Sequence, residues 1–172
     1  MARRAGGAVV ATPTESAIVA TLLHVLPAAA ASYEQCLLDL ALPRRSYRGV
    51  AHELREVLRE TLDYLAPDAD VMAEPGFTLE DGRAQPTQKQ KAAHILRKRR
   101  LSRAQMSAPE LAVSLVEEMG ASITRSAYRR GAKDVHTVTS EAEVRQLKMW
   151  VDAVLGELLE IHAQKINQSK AR

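Results

Sequence analysis

The stretch Ser46 to Pro67, SYRGVAHELREVLRETLDYLAP, decides the fold class. Val50, Leu54, Val57, Leu58, Thr61, Leu62 and Leu65 recur at steps of three and four, which puts them on one face of an α-helix. Glu53, Arg55, Glu56, Arg59, Glu60 and Asp63 form the opposite, solvated face, with Arg59 and Asp63 one turn apart. Pro67 ends the helix, because proline cannot donate the next backbone hydrogen bond. A helix so charged on its back needs other helices to cover its apolar front.

The flanking segments supply them. Upstream, residues 15–42 read as helical, with Pro27 a kink or break between Ile18-Leu22-Val25-Leu26 and Tyr33-Leu37-Leu40. Downstream, residues 66–86 hold Pro67, Pro75, Gly76, Gly82 and Pro86 and read as a long irregular connection anchored by the lone Phe77. Thr87 can cap a short helix, QKQKAAHILRKRRL. Ser107-Ala108-Pro109-Glu110 has the form of a capping box and predicts a long helix with Leu111, Leu115, Val116, Met119 and Ile123 inward, stopped by Gly131. Ser140-Glu141-Ala142-Glu143 opens the last helix, whose seam is Val144, Leu147, Val151, Val154, Leu158 and Ile161. The expected architecture is an all-α bundle of about five helices. Its expected organisation is a flexible segment over 1–14, one helical domain over 15–164 and a frayed tail over 165–172.

Composition agrees. The 172 residues suit one domain. Only four Tyr, one Trp and one Phe are present, which disfavours an aromatic-rich β-sandwich. Cys36 is the single cysteine, so no internal disulfide or thiolate zinc cluster can form, and a reducing cytoplasm is expected. The N-terminal MARRAGGAVV imitates a secretory signal, but Thr12-Pro13-Thr14-Glu15 breaks the apolar run. No stretch approaches the ~20 apolar residues of a membrane span.

Charge is uneven. The net charge is +3, yet Lys89, Lys91, Arg97, Lys98, Arg99, Arg100 and Arg103 fall between Thr87 and Arg103 without an acidic residue, leaving the rest of the chain slightly acidic. Clustered cations are what a polyanion contact requires, since counterion release follows local charge. The alternative is a solvated helix face.

The five histidines, at 24, 52, 94, 136 and 162, form no metal-ligand pattern, and there is no phosphate-cradling glycine motif; no cofactor or metal is expected. What stands out is RSAYRRGAKDVH, residues 125–136. Arg130 continues the inward stripe of its helix where a leucine is expected, and a charge there needs a partner. His136 precedes the last helix, whose positive end favours a neutral imidazole and can hold an anion. Arginine can grip a phosphate bidentately while histidine moves the proton of a 2′-hydroxyl or of the leaving oxygen, which is RNA cleavage without a metal. One histidine is hard pressed to be both acid and base; dimerisation across the last helix would bring in a second. The structural alternative for Arg130 and His136 is an interhelical salt bridge or cap network, with Asp134 or Asp152 as partner. Arg45 and His52 have a similar spacing and are read as structural.

At these residues the chain resembles the HEPN superfamily, small helical domains with an Arg-x4-6-His motif between two late helices. SYRGVAHELREVLRETLDYLAPD, PTQKQKAAHIL and YRRGAKDVH, in that order, are similar to a prokaryotic family of nucleases encoded near PIWI or Argonaute-like genes. The resemblance runs from about Leu37 to Ile161. It implies a homodimeric, metal-independent endoribonuclease in antiviral defence, acting on RNA alongside a larger effector protein, with Arg130 and His136 in the motif. On this reading Tyr128 orients the site, and Arg129, Lys133, Lys89, Lys91, Arg97, Lys98, Arg99 and Arg100 attract the nucleic-acid backbone. The competing expectation is a non-catalytic adaptor that binds a larger effector or nucleic acid through the last helix, at Val151 and Leu158. A helix-turn-helix regulator is disfavoured, because the basic helix lacks a short-turn partner.

Overall fold

The computed structural model describes the backbone of residues 11–130 and 139–161, and the side chains of residues 11–122 and 139–161. Within them the chain forms seven helices and no strand: α1 (Pro13–Val25), α2 (Pro27–Ala41), α3 (Arg48–Leu65), α4 (Asp68–Met72), α5 (Gln88–Lys98), α6 (Arg103–Arg130) and α7 (Glu141–Leu158). The all-α bundle is as expected, with two more helices than the five counted from periodicity. Leu26, at φ −145°, splits the first helix in two, because Pro27 has no N–H with which to continue α1 and instead starts α2. The second addition, α4, is a single short helix within the 66–86 connection, and Phe77 packs half-buried against the core as expected.

α3 is buried along the face that periodicity assigned to it: Val50, Leu54, Val57, Leu58, Thr61 and Leu62 are all inaccessible. Thr61 satisfies its hydroxyl by donating to Val57 O at 2.8 Å. Around α3 pack α2, α5, α6 and α7. The seam of α7 is equally buried, so Val151 and Leu158 point into the chain's own core and are not a docking face. That corrects the expectation placed on them: an apolar stripe signals burial, and tertiary packing rather than a partner supplies it. The exposed large apolar side chains lie elsewhere, at Leu23, Leu38, Leu42 and Met149 among others.

α6 begins a turn earlier than its apparent capping box. Ser102 is the cap: its Oγ accepts from Gln105 N, and Gln105 Oε1 accepts from Ser102 N at 2.9 Å. Pro109 therefore lies inside the helix, and Ser107 turns its hydroxyl back onto Ala104 O. The buried stripe is Val113 and Val116, while Leu111, two residues from Val113 and so about 200° away around the helix, is exposed. Two apolar stripes coexist in that sequence, and packing on α5 and α7 selects one.

Polar ties fix the helix order. Lys148 on α7 binds Glu15 on α1 and Asp152 on its own helix, the latter at 2.5 Å, and Tyr33 on α2 donates to Asp152 at 2.6 Å. Arg145 donates to Leu40 O, so residue numbers fall along α7 as they rise along α2, and the two run antiparallel. Tyr47, at the start of α3, donates to Glu141 at the start of α7, so those two begin at the same end. At the other end Arg99 caps α7, donating to Glu157 O and Leu158 O. Cys36 is buried, and burial pushes its thiol up to about 12, which leaves it inert.

Leu147→Ala removes a fully buried side chain from the α7 seam and is expected to cost about 2–5 kcal/mol in urea denaturation. Leu111→Ala, on the exposed stripe of α6, should stay within about 0.5 kcal/mol of wild type.

Candidate functional site

α6 ends at Arg130 and α7 is capped by Ser140, whose Oγ accepts from Glu143 N while Glu143 accepts from Ser140 N at 2.7 Å. The two helices pack together. Tyr128, Arg129 and Arg130 form the last turn of α6 in backbone only; their side chains, and all of Lys133 and His136, lie outside the described residues. Arg55 of α3 lies flat against Gly120 of α6, where a Cβ would overlap its Cδ and Nε, while Asp63 shares a cleft with Glu117. α3 and α6 therefore run antiparallel. Arg130, ten residues beyond Gly120, lies about 15 Å further along that axis, toward the start of α3. The end of α6, the cap of α7 and the start of α3 thus share one end of the bundle. Arg45, Arg48 and His52 are exposed at that start. Asp152 is engaged by Tyr33 and Lys148, so it is not waiting for an arginine.

The basic segment is held down by carboxylates from elsewhere in the chain. Lys91 is buried and bridges Asp63 and Asp68, each at 2.5 Å. Burial pulls its ammonium down, but those two carboxylates outweigh it and keep the pKa above the ordinary value. Arg97 grips both oxygens of Glu74 at 2.9 and 2.8 Å, Lys98 lies 3.8 Å from Asp70, and Arg99 lies 3.2 Å from Glu160. Arg100, at φ 57°, turns the chain out of α5. Lys89, Arg100 and Arg103 make no ion pair among the described residues. Of the seven cations, four fasten α5 to α3, α4, the adjoining loop and the end of α7.

Glu74 is the centre of one fastening. The hydrogen bonds from Arg97, then that of buried His94, whose Nδ1 lies 2.9 Å from Oε2, hold its carboxyl at about 2 against a usual 4.5. A depressed carboxylate stabilises the fold above its unfolded pKa and stops doing so as pH falls through the folded one.

A polar cleft of about 770 Å³ opens between α3, the 83–88 segment and α6. Arg59 on its wall is already paired, with Glu56 at 2.8 Å and Asp63 at 2.9 Å. Glu117 and Arg83 also line it. Sequence spacing could not associate those two, 34 positions apart in loop and helix. Among the described residues no three His, Cys, Asp or Glu are grouped to hold a metal ion, and no helix is long and apolar enough to cross a membrane.

Residues 41–146, from the end of α2 into the second turn of α7 and more than half of the chain, match the family model described as "Predicted pPIWI-associating nuclease". No curated protein and no solved structure matches the chain.

Glu74→Gln should lower the melting temperature at pH 6, and the gap to wild type should close between about pH 4.5 and pH 2, read by thermal denaturation across that range. A gap that stays constant with pH would show that Glu74 contributes packing rather than charge.

Proposed function

Since the chain belongs to the family of predicted pPIWI-associating nucleases, we propose that it is a metal-independent endoribonuclease of HEPN type, working in the cytoplasm in antiviral defence beside a larger effector. Arg130 holds the scissile phosphate bidentately and offsets the charge that builds on its free oxygens. His136 takes the proton of the 2′-hydroxyl as that oxygen attacks phosphorus, or delivers one to the departing 5′-oxygen. Two copies meeting at the shared end of α6, α7 and α3 would let one imidazole act as base and the other as acid. Tyr128 orients the pair. Arg129, Lys133, Lys89 and Arg100 draw in the RNA backbone, and Arg97, Lys98 and Arg99 add to that field while holding their own carboxylates.

The observation that carries this reading is the junction itself. The chain leaves α6 at Arg130 and re-enters a capped α7 at Ser140 on a helix packed against the first. Arg130 is the last residue of α6, and in the sequence His136 stands four positions before the Ser140 cap of α7, so both belong to the stretch that joins two packed helices. The family match, which spans the junction, supports the nuclease part.

One observation favours a second reading, a non-catalytic adaptor. α1 and α2 form an apolar groove of about 510 Å³, lined by Val19, Leu23, Leu37 and Leu38, with Leu23 and Leu38 about half exposed. Contiguous exposed apolar surface of this kind fits a partner protein.

Labelled single-stranded RNA incubated with purified protein in EDTA should be cut. Arg130→Ala and His136→Ala should each slow cleavage by about 10²–10⁴-fold. Cleavage that requires magnesium, or that survives both substitutions, overturns the mechanism; no cleavage by wild type leaves the adaptor.

A further inference from the structure

An acid and a base face the polar cleft without reaching each other. Glu117, on α6, is half-buried, yet among the described residues it accepts no hydrogen bond and makes no ion pair. Burial pushes its carboxyl above the ordinary range; Arg83, Arg55 and Lys89 temper the rise, and the Glu80 carboxylate adds to it. Arg83, which also lines the cleft, is exposed and has no carboxylate within ion-pair distance among the described residues. The other charges on the walls are matched: Asp63 and Asp68 hold Lys91, and Arg59 is held by Glu56 and Asp63. A half-buried carboxylate accepts only, so its missing partners must be donors; an unpaired guanidinium calls for an anion.

We propose that this cleft binds a ribonucleotide unit, with Glu117 accepting from the ribose hydroxyls and Arg83, assisted by Lys89, holding the phosphate. A ribonucleotide carries both complements in one molecule: a 2′-hydroxyl donor, joined by a free 3′-hydroxyl in a mononucleotide or at a chain end, and an anionic phosphate. The cleft, at about 770 Å³, has room for it. A free amino acid also carries opposite charges, but would fill only a small part of that space. The choice of RNA over other polyanions rests on the nuclease reading above; the cleft geometry does not. Glu117 lies thirteen residues before Arg130 on the same helix, about 20 Å along its axis, so the site is a distant subsite and not the reacting centre. Its consequence is selectivity: a carboxylate that reads the 2′-hydroxyl distinguishes RNA from DNA at a position where no chemistry occurs.

The test is equilibrium binding of a short single-stranded RNA and of the same sequence in DNA, in EDTA, by proteins that all carry His136→Ala to suppress cleavage, with a gel confirming that the RNA stays intact; the protein with an unaltered cleft serves as wild type. Wild type should favour RNA by about tenfold, the scale of hydrogen bonds to a charged group. Glu117→Ala should bring the ratio near one while leaving DNA affinity alone. Arg83→Ala, in an exposed loop where folding is not at stake, should weaken both ligands and keep the ratio. Competition by a ribonucleoside monophosphate but not its 2′-deoxy form would assign the site to free nucleotides; competition by the oligonucleotide alone would assign it to a nucleotide within RNA. Equal binding of RNA and DNA by wild type, or a ratio unchanged in Glu117→Ala, overturns the proposal. These outcomes are read without cleavage, so loss of the Arg130 and His136 mechanism would not be mistaken for loss of this one.

Discussion

α3 can be covered on only one side. Its apolar face, from Val50 to Leu62, is inaccessible, and its back carries arginines and carboxylates at every turn. Each neighbouring helix must therefore approach from the apolar side or meet the charged edge with opposite charge. α2 and α7 take the first course, and α5 and α6 take a mixture. α5 brings Lys91 to Asp63, and α6 brings Gly120 under Arg55, whose side chain lies where a Cβ would stand. The antiparallel setting of α3 and α6 follows from these contacts. It carries the end of α6 to the start of α3 and the cap of α7.

The cations of α5 have a double character that only the folded chain reveals. As a sequence they form an unbroken positive block. In the fold, four of them meet carboxylates on α3, α4, the loop after it and the end of α7. Such pairs, where exposed, contribute little each, about 0–1 kcal/mol, but buried Lys91 between two carboxylates is different in kind, since either partner alone would leave a charge uncompensated. What the block can still offer a polyanion is concentrated in Lys89, Arg100 and Arg103.

The helices themselves were legible because their signals are local. α3 and α7 could be outlined from apolar period and capping residues, and every residue expected in the seam of α7 is buried, joined by Leu155 and Gly156, which the spacing does not pick out. Errors arose where two local signals competed. Ser107-Ala108-Pro109-Glu110 looks like a helix start, yet Ser102 with Gln105 caps a turn earlier and the helix runs through Pro109. Leu111 and Val113 offer opposite faces of α6, and periodicity alone cannot choose between them. The apolar seam of α7 signals burial without saying against what; its own chain provides the cover.

The candidate site divides in the same way. Arg130 and His136 can be proposed from the sequence alone because they stand six positions apart in it. Glu117 and Arg83 cannot, because a loop and a helix 34 residues apart meet only after the bundle closes. By itself the sequence determined the helical class, the places where most helices begin and end, and the family, all of which rest on backbone hydrogen bonding and apolar period over a few turns. Tertiary structure decided which stripe of α6 is inside, which cations of α5 are neutralised and which charges are left facing the cleft. Those outcomes depend on long-range packing geometry, and a side chain's charge has no fixed consequence until burial and its neighbours are known.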